Sequence, residues 1–242
     1  SQTLTPGYGA DIKGTESVNF TAGGAVFAST DVSRYIHYDY YIDEVLQYRA
    51  NALITEYVSA TQVKATILVA WPDLSAIASG DWRMTVLEVG GLWHLEGETA
   101  AVFADGATLP ERVVTNGMIA LSYPASKVAV GEGYESDGRT MRPEGGSADG
   151  TSQGKIRRTH KVVLRMHNTL GLKIGPSFDR LTRKIFRTSA NPTSLAPPLF
   201  SGDMTWDWEG DYDHDGYICW RQDQPEPATI LAIMPQLHVQ DG

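Results

Sequence analysis

The chain has 242 residues, of which 42% are hydrophobic and 20% charged, a composition that predicts one or two globular domains with a sizeable core and argues against disorder. The formal net charge of −9 argues against nucleic acid as the main partner, because phosphate contacts need an excess of Lys and Arg. The single cysteine, Cys219, excludes an intrachain disulfide and a cysteine-rich zinc site, and no apolar run approaches the roughly 18 residues of a membrane span.

The first part of the chain predicts a linker followed by a small β-domain. Residues 1–20 contain few consecutive apolar residues and are predicted to form a linker or extended arm. The following domain, residues 21–90, is rich in β-branched and aromatic residues, which suit pleated sheets. Two strand-like runs at 52–58 and 63–70, separated by a short polar break, predict a hairpin. Trp71-Pro72 ends it, since proline cannot continue a central strand.

Short strand-like runs divided by turn signals fill the second domain, residues 91–242. Asp105-Gly106 and Asn116-Gly117 predict tight hairpin turns, because these residue types tolerate positive φ. Tyr123-Pro124 is predicted to divide two further strands. These patterns predict an all-β fold class, with a small β-barrel-like N-terminal domain and a β-sandwich-like C-terminal domain that meet near residues 88–92.

Four further segments of the second domain have distinct patterns. Residues 131–154 are rich in glycine and poor in aliphatic residues, so we predict a flexible exposed loop. Strands are predicted at 161–167 and 229–234. The best helix candidate is 177–187, whose apolar residues recur near helical spacing, but a strand and loop fit this segment equally well.

Charge is unevenly distributed along the second domain. Residues 155–187, the basic segment, hold ten Lys or Arg and one acid, whereas residues 203–226, the acidic segment, hold eight Asp or Glu and one Arg. Two interpretations of Arg157, Arg158 and Lys161 stay open. They form either a patch that docks the acidic segment of an adjacent copy, or a solvated strand edge where cations discourage unwanted pairing.

An acidic loop is the sharpest local motif. Asp211, Asp213 and Asp215 alternate before Gly216, as in the first half of a calcium loop, so their oxygens can converge on one hard cation. The Glu expected at loop position 12 is absent, because that position is Gln222. A structural calcium site and a solvated acidic turn therefore both stay open, and no other cofactor is predicted.

Aromatic residues cluster around the acidic loop, led by Trp206, Trp208 and Trp220. Alternation places the rings of Trp206 and Trp208 on one face of a strand. We predict that they anchor the core or a subunit interface, with an exposed sugar-binding platform as the alternative.

No complete catalytic constellation is recognisable in the sequence. It contains no G-x-S-x-G elbow and no P-loop, and no two histidines stand at the spacing of a helical zinc pair. Carboxylates for glycoside hydrolysis would have to come from pairs such as Glu96 with Asp105, or Glu132 with Glu135. We therefore predict that the protein is not an enzyme.

Ordered phrases in the second domain resemble tail structural proteins of tailed bacteriophages. They include His94-Leu95-Glu96-Gly97-Glu98-Thr99, Ala104-Asp105-Gly106, Val113-Val114-Thr115-Asn116-Gly117, Leu170-Gly171-Leu172, Pro197-Pro198-Leu199-Phe200-Ser201-Gly202-Asp203 and Arg221-Gln222-Asp223-Gln224-Pro225. Over residues 92–242 the chain is similar to the tail nozzle, or tail tubular protein B-like, group and to siphophage tail-tip proteins that share the module. Earlier in the chain, Val26-Phe27, Thr61-Gln62-Val63 and Asp81-Trp82-Arg83 resemble a small structural β-domain called FCCH-like.

The resemblance implies a structural component of a phage tail, placed in the distal tail, hub or nozzle of the virion. Such a protein would act as a homo-oligomer, a ring or trimer, that docks to other tail proteins. Two alternatives stay open: a host-receptor or glycan-binding module of the tail tip, and a tail-associated polysaccharide or peptidoglycan hydrolase. Calcium is not implied by the resemblance.

Overall fold

The structure, a computed structural model, describes residues 2–43, 45–144, 151–152, 154–189, 191, 195–208 and 210–240. Within these residues the regular elements are β-strands and two short 3-10 helices, Ser29–Asp31 and Trp93–Leu95. The predicted all-β fold is confirmed. No helix in this part of the chain has the length and apolar character needed to cross a membrane.

Six strands form the first sheet. They are β1 (Leu4–Pro6), β2 (Val18–Ala22), β3 (Tyr35–Ile42), β4 (Val45–Ser59), β5 (Gln62–Val69) and β6 (Trp82–Met84), in the antiparallel order β1-β2-β5-β4-β3-β6. The predicted hairpin is confirmed, since β4 pairs with β5 and β5 ends before Trp71-Pro72. The segment predicted as a linker or arm contains β1 and the start of β2, where Leu4 and Phe20 are buried.

Alternate side chains of this sheet build one hydrophobic core. In β5, Val63, Ala65 and Ile67 are fully buried, because successive residues of a strand face opposite sides. The core includes Trp71, whose ring lies 5.1 Å from the ring of Phe20. Since β1, β2 and β5 all contribute to it, the N-terminal residues are part of the folded unit.

Five strands follow: β7 (Val86–Gly90), β8 (Thr99–Ala104), β9 (Ala107–Val113), β10 (Met118–Ala125) and β11 (Val128–Glu132). β10 pairs with β7, and the other three form a sheet in the order β11-β8-β9. The two predicted turns are confirmed, because Asp105 and Gly106 have φ of +50° and +89°, and Asn116 and Gly117 have φ of +54° and +65°.

The prediction that Tyr123-Pro124 divides two strands is wrong. Strand β10 continues through this dipeptide to Ala125. The register between β10 and β7 shifts between Ala120 and Ala125, so Pro124 lies at an irregularity of the ladder. A proline is compatible with such a position, because it has no N–H to contribute to a regular ladder.

Seven strands complete the fold: β12 (Ser136–Arg139), β13 (Ile156–Thr169), β14 (Lys173–Gly175), β15 (Thr182–Arg183), β16 (Phe200–Asp207), β17 (Cys219–Gln222) and β18 (Ile230–Gln240). They form two sheets, in the orders β12-β17-β14-β15 and β16-β13-β18. The strands predicted at 161–167 and 229–234 are confirmed within β13 and β18. The candidate helix at 177–187 is instead the short β15 with irregular chain around it. The predicted loop 131–154 contains β12, and its residues 145–150 and 153 lie outside the described residues.

The chain is organised in two compact units. The first consists mainly of Ser1–Thr99 and Leu109–Ala129, and the second of Ala100–Thr108, Val130–Asn191 and Ala196–Gly242. The predicted boundary near residues 88–92 lies within the first unit. The second unit has its own core. It is formed by alternate residues of β13 together with five other buried residues, Leu172, Ile174, Trp206, Trp208 and Ile218.

Candidate interaction surface

The basic and acidic segments lie side by side in the same unit. Strand β13 belongs to the basic segment and pairs with β16, which leads into the acidic segment. Arg165 lies opposite Asp203, and its Nε and Nη2 donate to the two carboxylate oxygens at 2.7 and 2.8 Å. These hydrogen bonds hold the pKa of the Asp203 carboxyl below its usual value. Lys161 lies opposite Asp207 in the same register.

Two further ion pairs join the same two segments. Lys173 is paired with Asp223, and Nη2 of Arg183 lies 3.1 Å from the carboxylate of Glu226. Several charges that are separated along the sequence therefore neutralise one another within one chain. This pairing removes the main physical argument for docking the basic segment of one copy onto the acidic segment of another.

Arg157 is buried, with only 1% of its surface exposed. Its Nη1 donates to the carbonyl of Pro143, its Nη2 donates to the carbonyl of Ser152 at 2.8 Å, and its backbone forms a bridge with Asp213. The side chain and the backbone of Arg157 together connect β13 to the segments around Pro143, Ser152 and Asp213. The prediction of Arg157 as an interface residue is wrong, because β13 alternates and this position faces inward.

Arg158 and Lys161 stay accessible as surface candidates. Arg158 is exposed, donates from Nε to the carbonyl of Gly210 at 3.1 Å, and places its guanidinium 5.8 Å from the centre of the Tyr212 ring. Lys161 is half-buried and lies between Asp207 on β16 and Gln236 on β18. Arg158 is therefore held by contacts inside the chain, and both residues keep an accessible side.

The predicted aromatic cluster divides into core and half-buried residues. Trp206 and Trp208 are 2% and 9% exposed and pack in the core of the second unit. They anchor the core and cannot form an exposed sugar-binding platform. The prediction of Trp206 and Trp208 as ligand candidates is therefore wrong. Trp220 is half-buried, and its ring lies so close over Gly138 that any side chain there would collide with it.

The three carboxylates of the acidic loop have separate partners. Asp211 is exposed and lies 3.9 Å from Arg180, whereas Asp215 lies 2.5 Å from Arg142. Burial acts to raise the pKa of Asp213, but backbone N–H groups of the loop, including that of Gly216, outweigh it and lower the pKa. As placed, these carboxylates do not fit one common cation, and within the described residues no group of three or more His, Cys, Asp or Glu is arranged to hold a metal. Calcium binding stays a prediction.

Sequence analysis missed a buried ion cluster on the first sheet. Asp39 of β3 accepts hydrogen bonds from Nε of Arg49 at 2.6 Å and from Nη1 of Arg83 at 3.0 Å, and its side chain is 3% exposed. Burial acts to raise the pKa of Asp39, but the two guanidinium groups outweigh it and hold the pKa below its usual value. The one sequence signal for this cluster is an aspartate within the aromatic residues of β3. That signal does not identify its partners, because Arg49 and Arg83 lie on other strands.

An ion pair across β12 and β17 was missed as well. Arg221 donates from Nε and Nη2 to both carboxylate oxygens of Asp137 at 2.7 Å, and its Nη1 lies 3.2 Å from Glu135. These bonds lower the pKa of Asp137 and raise that of Arg221. The pair fastens the edge strand β12 to the sheet across 84 residues of sequence.

Candidate catalytic carboxylates also have structural partners. The carboxylate of Glu96 accepts the backbone N–H groups of Asn116 at 2.8 Å and Gly117 at 2.6 Å, which stabilises the tight turn. Glu135 is engaged by Arg221. Both carboxylates therefore have hydrogen-bond or ion-pair partners within the chain.

An open pocket of about 560 Å³ lies in the second unit, lined by Arg139, Thr140, Met141, Arg142 and Tyr217. The guanidinium of Arg139 lies 4.5 Å above the centre of the Tyr217 ring. Arg142 is neutralised by Asp215. The pocket therefore offers an arginine stacked on an aromatic ring, a combination that suits an anionic or hydroxyl-rich ligand.

No protein-family model matches this chain, and no curated protein matches it.

Proposed function

We propose that this protein is a structural component of a bacteriophage tail, in the distal tail, hub or nozzle, that self-assembles and docks to neighbouring tail proteins. The ordered phrases of residues 92–242 that resemble tail structural proteins carry this proposal. Two of the phrases form tight turns, at Asp105-Gly106 and Asn116-Gly117, so the resembling residue types have a definite structural role. That role supports a shared scaffold.

The proposal is tested in purified virions of the phage that encodes the chain. Mass spectrometry should detect the protein, and antibodies raised against it should label the distal end of the tail in electron micrographs. An antibody against the major capsid protein is the matched control, since it should label heads alone. Absence from virions, or labelling away from the tail, would contradict the proposal.

A glycan-binding role at the tail tip is a second candidate, favoured by the pocket beside Tyr217. We expect an acidic host polysaccharide to bind there if this candidate is correct, and Arg139→Ala to abolish binding without lowering Tm, because Arg139 is exposed. Lys13→Ala removes an exposed cation from the first unit and serves as the control. Undiminished binding by Arg139→Ala would exclude this pocket.

A further inference from the structure

We propose that Asp215 occupies the place of a ligand carboxylate in the pocket beside Tyr217, so that a carboxylated polysaccharide must displace it from Arg142 in order to bind. The inference rests on the glycan-binding candidate of the proposed function and deepens it. It names the carboxylate as the group that the pocket recognises, and Asp215 as an autoinhibitory residue of the same chain.

The pocket lies where the paired strands β12 and β17 end. Arg139, the last residue of β12, lies opposite Cys219, the first residue of β17. Two hydrogen bonds continue the pairing: the backbone N–H of Thr140 donates to the carbonyl of Ile218 at 2.9 Å, and the N–H of Ile218 donates to the Thr140 hydroxyl at 3.1 Å. The backbone on both sides of the pocket is therefore held by the sheet, which positions Arg139 and Tyr217.

Two arginines contact Tyr217 in this pocket. The Arg139 guanidinium lies 4.5 Å from the centre of the ring. A hydrogen bond with Tyr217, together with the charge of Asp215, raises the pKa of the Arg142 guanidinium. Among the described residues, no carboxylate forms an ion pair with Arg139. A guanidinium that lies on an aromatic ring keeps N–H donors along its edge, and carboxylates bind to such donors.

Arg142 is already engaged by a carboxylate of the chain itself. Its Nη2 lies 2.5 Å from Oδ1 of Asp215, and the side chains of Arg142 and Asp215 are 51% and 36% exposed. An ion pair at this level of exposure contributes little to stability, because water and salt screen both charges. A ligand carboxylate can therefore replace Asp215 without unfolding any part of the chain.

The loop that carries Asp215 is fixed by other contacts. The backbones of Asp213 and Arg157 exchange two hydrogen bonds of 2.8 Å, and the Asp213 carboxylate accepts the N–H of Gly216 at 3.3 Å. Gly216 has φ of +61°, and an added Cβ would lie 2.8 Å from the Arg157 side chain. None of these contacts involves the Asp215 carboxylate. The exchange therefore requires a rotamer change of Asp215 and no movement of the loop backbone.

The size and the charge of the pocket indicate the class of ligand. Its volume of about 560 Å³ is within the range of roughly 300–1,000 Å³ that small ligands occupy. Displacement of Asp215 would present the guanidinium groups of Arg139 and Arg142 to the ligand, a charge complementary to carboxylate. A uronate unit of a polysaccharide combines one carboxylate with ring hydroxyls that accept the remaining arginine N–H donors.

Isothermal titration calorimetry of the purified full chain with a galacturonate tetramer tests the exchange. We expect Asp215→Asn to bind the tetramer about threefold to fivefold more tightly than the native chain, the equivalent of one exposed ion pair. Circular dichroism should show that the variant keeps its sheet content. Unchanged or weaker binding by the folded variant would overturn the proposal.

Asp211→Asn is the matched control. It removes the same charge from the same loop, but the Asp211 side chain is 93% exposed, lies 3.9 Å from Arg180 and does not line the pocket. Its effect on affinity should be less than about 1.5-fold, because solvent screens a charge in that position. An equal gain in both variants would overturn the specific role of Asp215.

A double-mutant cycle shows whether Asp215 acts through Arg142. In the Arg142→Ala background the gain from Asp215→Asn should disappear, because the guanidinium for which the two carboxylates compete is absent. A gain of the same size in that background would indicate general charge repulsion and would overturn the exchange.

Two further probes define the ligand. A galactose tetramer, which lacks the carboxylates, should bind the native chain and Asp215→Asn equally weakly, whereas a glutamate tetrapeptide that binds more tightly than the galacturonate tetramer would overturn the choice of a polysaccharide. Failure of the native chain and of Asp215→Asn to bind galacturonate would overturn the glycan-binding candidate together with this inference. Binding without a gain in Asp215→Asn would overturn the inference alone, and the labelling of virions tests tail localisation independently.

Discussion

Individual residues show how this fold accommodates buried charge. Asp39 is compensated by two arginines, whereas the guanidinium of Arg157 donates to the backbone carbonyls of Pro143 and Ser152. Removal of one arginine would leave Asp39 with the other arginine as its partner. Removal of the Asp39 carboxylate would leave Arg49 and Arg83 close together without an anion, at a site with little access to water. Asp39 is therefore the residue whose replacement is most informative.

We expect Asp39→Asn to lower the free energy of unfolding by about 3 kcal/mol, because it leaves Arg49 and Arg83 without their common anion. Urea denaturation measures the change. Glu56→Gln is the control, since it breaks the exposed pair with Lys64 and should cost less than about 1 kcal/mol. Equal effects of the two substitutions would contradict the importance of burial.

The same carboxylate predicts a pH dependence. Because the pKa of Asp39 is lowered in the folded state, its stabilisation is present above the unfolded pKa of about 3.9 and is lost as pH falls through the folded pKa. We expect the Tm difference between the native chain and Asp39→Asn to be largest near neutral pH and to shrink below about pH 4. A difference that stays constant down to about pH 3 would show that Asp39 is not the titrating group.

The acidic loop gives a prediction about calcium. Since Asp211, Asp213 and Asp215 have separate partners, we expect Tm to be the same with added calcium and with a chelator. Differential scanning calorimetry measures both conditions. A calcium-dependent increase in Tm that disappears in Asp213→Asn would contradict this expectation and establish the calcium loop.

At the level of elements, a tight turn is stabilised by its neighbours as well as by its own residues. Gly117 has φ of +65° and lies under the ring of Trp93, where an added Cβ would approach Cδ2 to 2.5 Å. Gly97 has φ of +83° with open space around it. The two glycines therefore separate backbone strain from steric collision.

We expect Gly97→Ala to destabilise the fold by about 1 kcal/mol through backbone strain alone. Gly117→Ala should cost about 2 to 4 kcal/mol, because it adds displacement of Trp93 to the same strain. Urea denaturation measures stability, and tryptophan fluorescence should respond to Gly117→Ala more than to Gly97→Ala. Equal costs would show that Trp93 moves freely.

Strand positions were predictable where the local signal is strong. The alternation in β5 and the Asp-Gly and Asn-Gly pairs predicted a hairpin and two turns, because side-chain direction and positive φ are local properties. The local signals misled at Pro124 and left the helix candidate at 177–187 open. In both places the outcome depended on pairing with another strand, which is β7 for the strand that holds Pro124 and β14 for Thr182–Arg183.

At the scale of the whole molecule, folding converts a segregated charge pattern into local ion pairs. The basic segment meets the acidic segment through Arg165 with Asp203, Lys173 with Asp223 and Arg183 with Glu226. These pairs neutralise part of the basic segment within one chain, so they weaken the physical case for docking the basic segment of one copy onto the acidic segment of another.

We therefore expect self-association to change less than about threefold between about 0.05 and 0.5 M salt, because Arg165, Lys173 and Arg183 are already paired with carboxylates of the same chain and are poorly placed to attract a second copy. Sedimentation equilibrium across a salt series measures the dissociation constant. A reference complex held by surface charges should weaken steeply in the same series. A similarly steep loss for this protein would favour charge-driven docking between copies.

The sequence by itself determined the all-β class, the hairpin of β4 and β5 and the two tight turns, because alternation and backbone preference act over a few neighbouring residues. It also predicted an anchoring role for Trp206 and Trp208 in the core or a subunit interface, with an exposed platform as the alternative. Tertiary structure alone decided that both rings lie in the core, that Arg157 points inward, and that the opposite charges meet in one chain. Those partners lie 38 residues apart for Arg165 and Asp203 and 50 apart for Lys173 and Asp223, and only the pairing of whole strands brings such positions together.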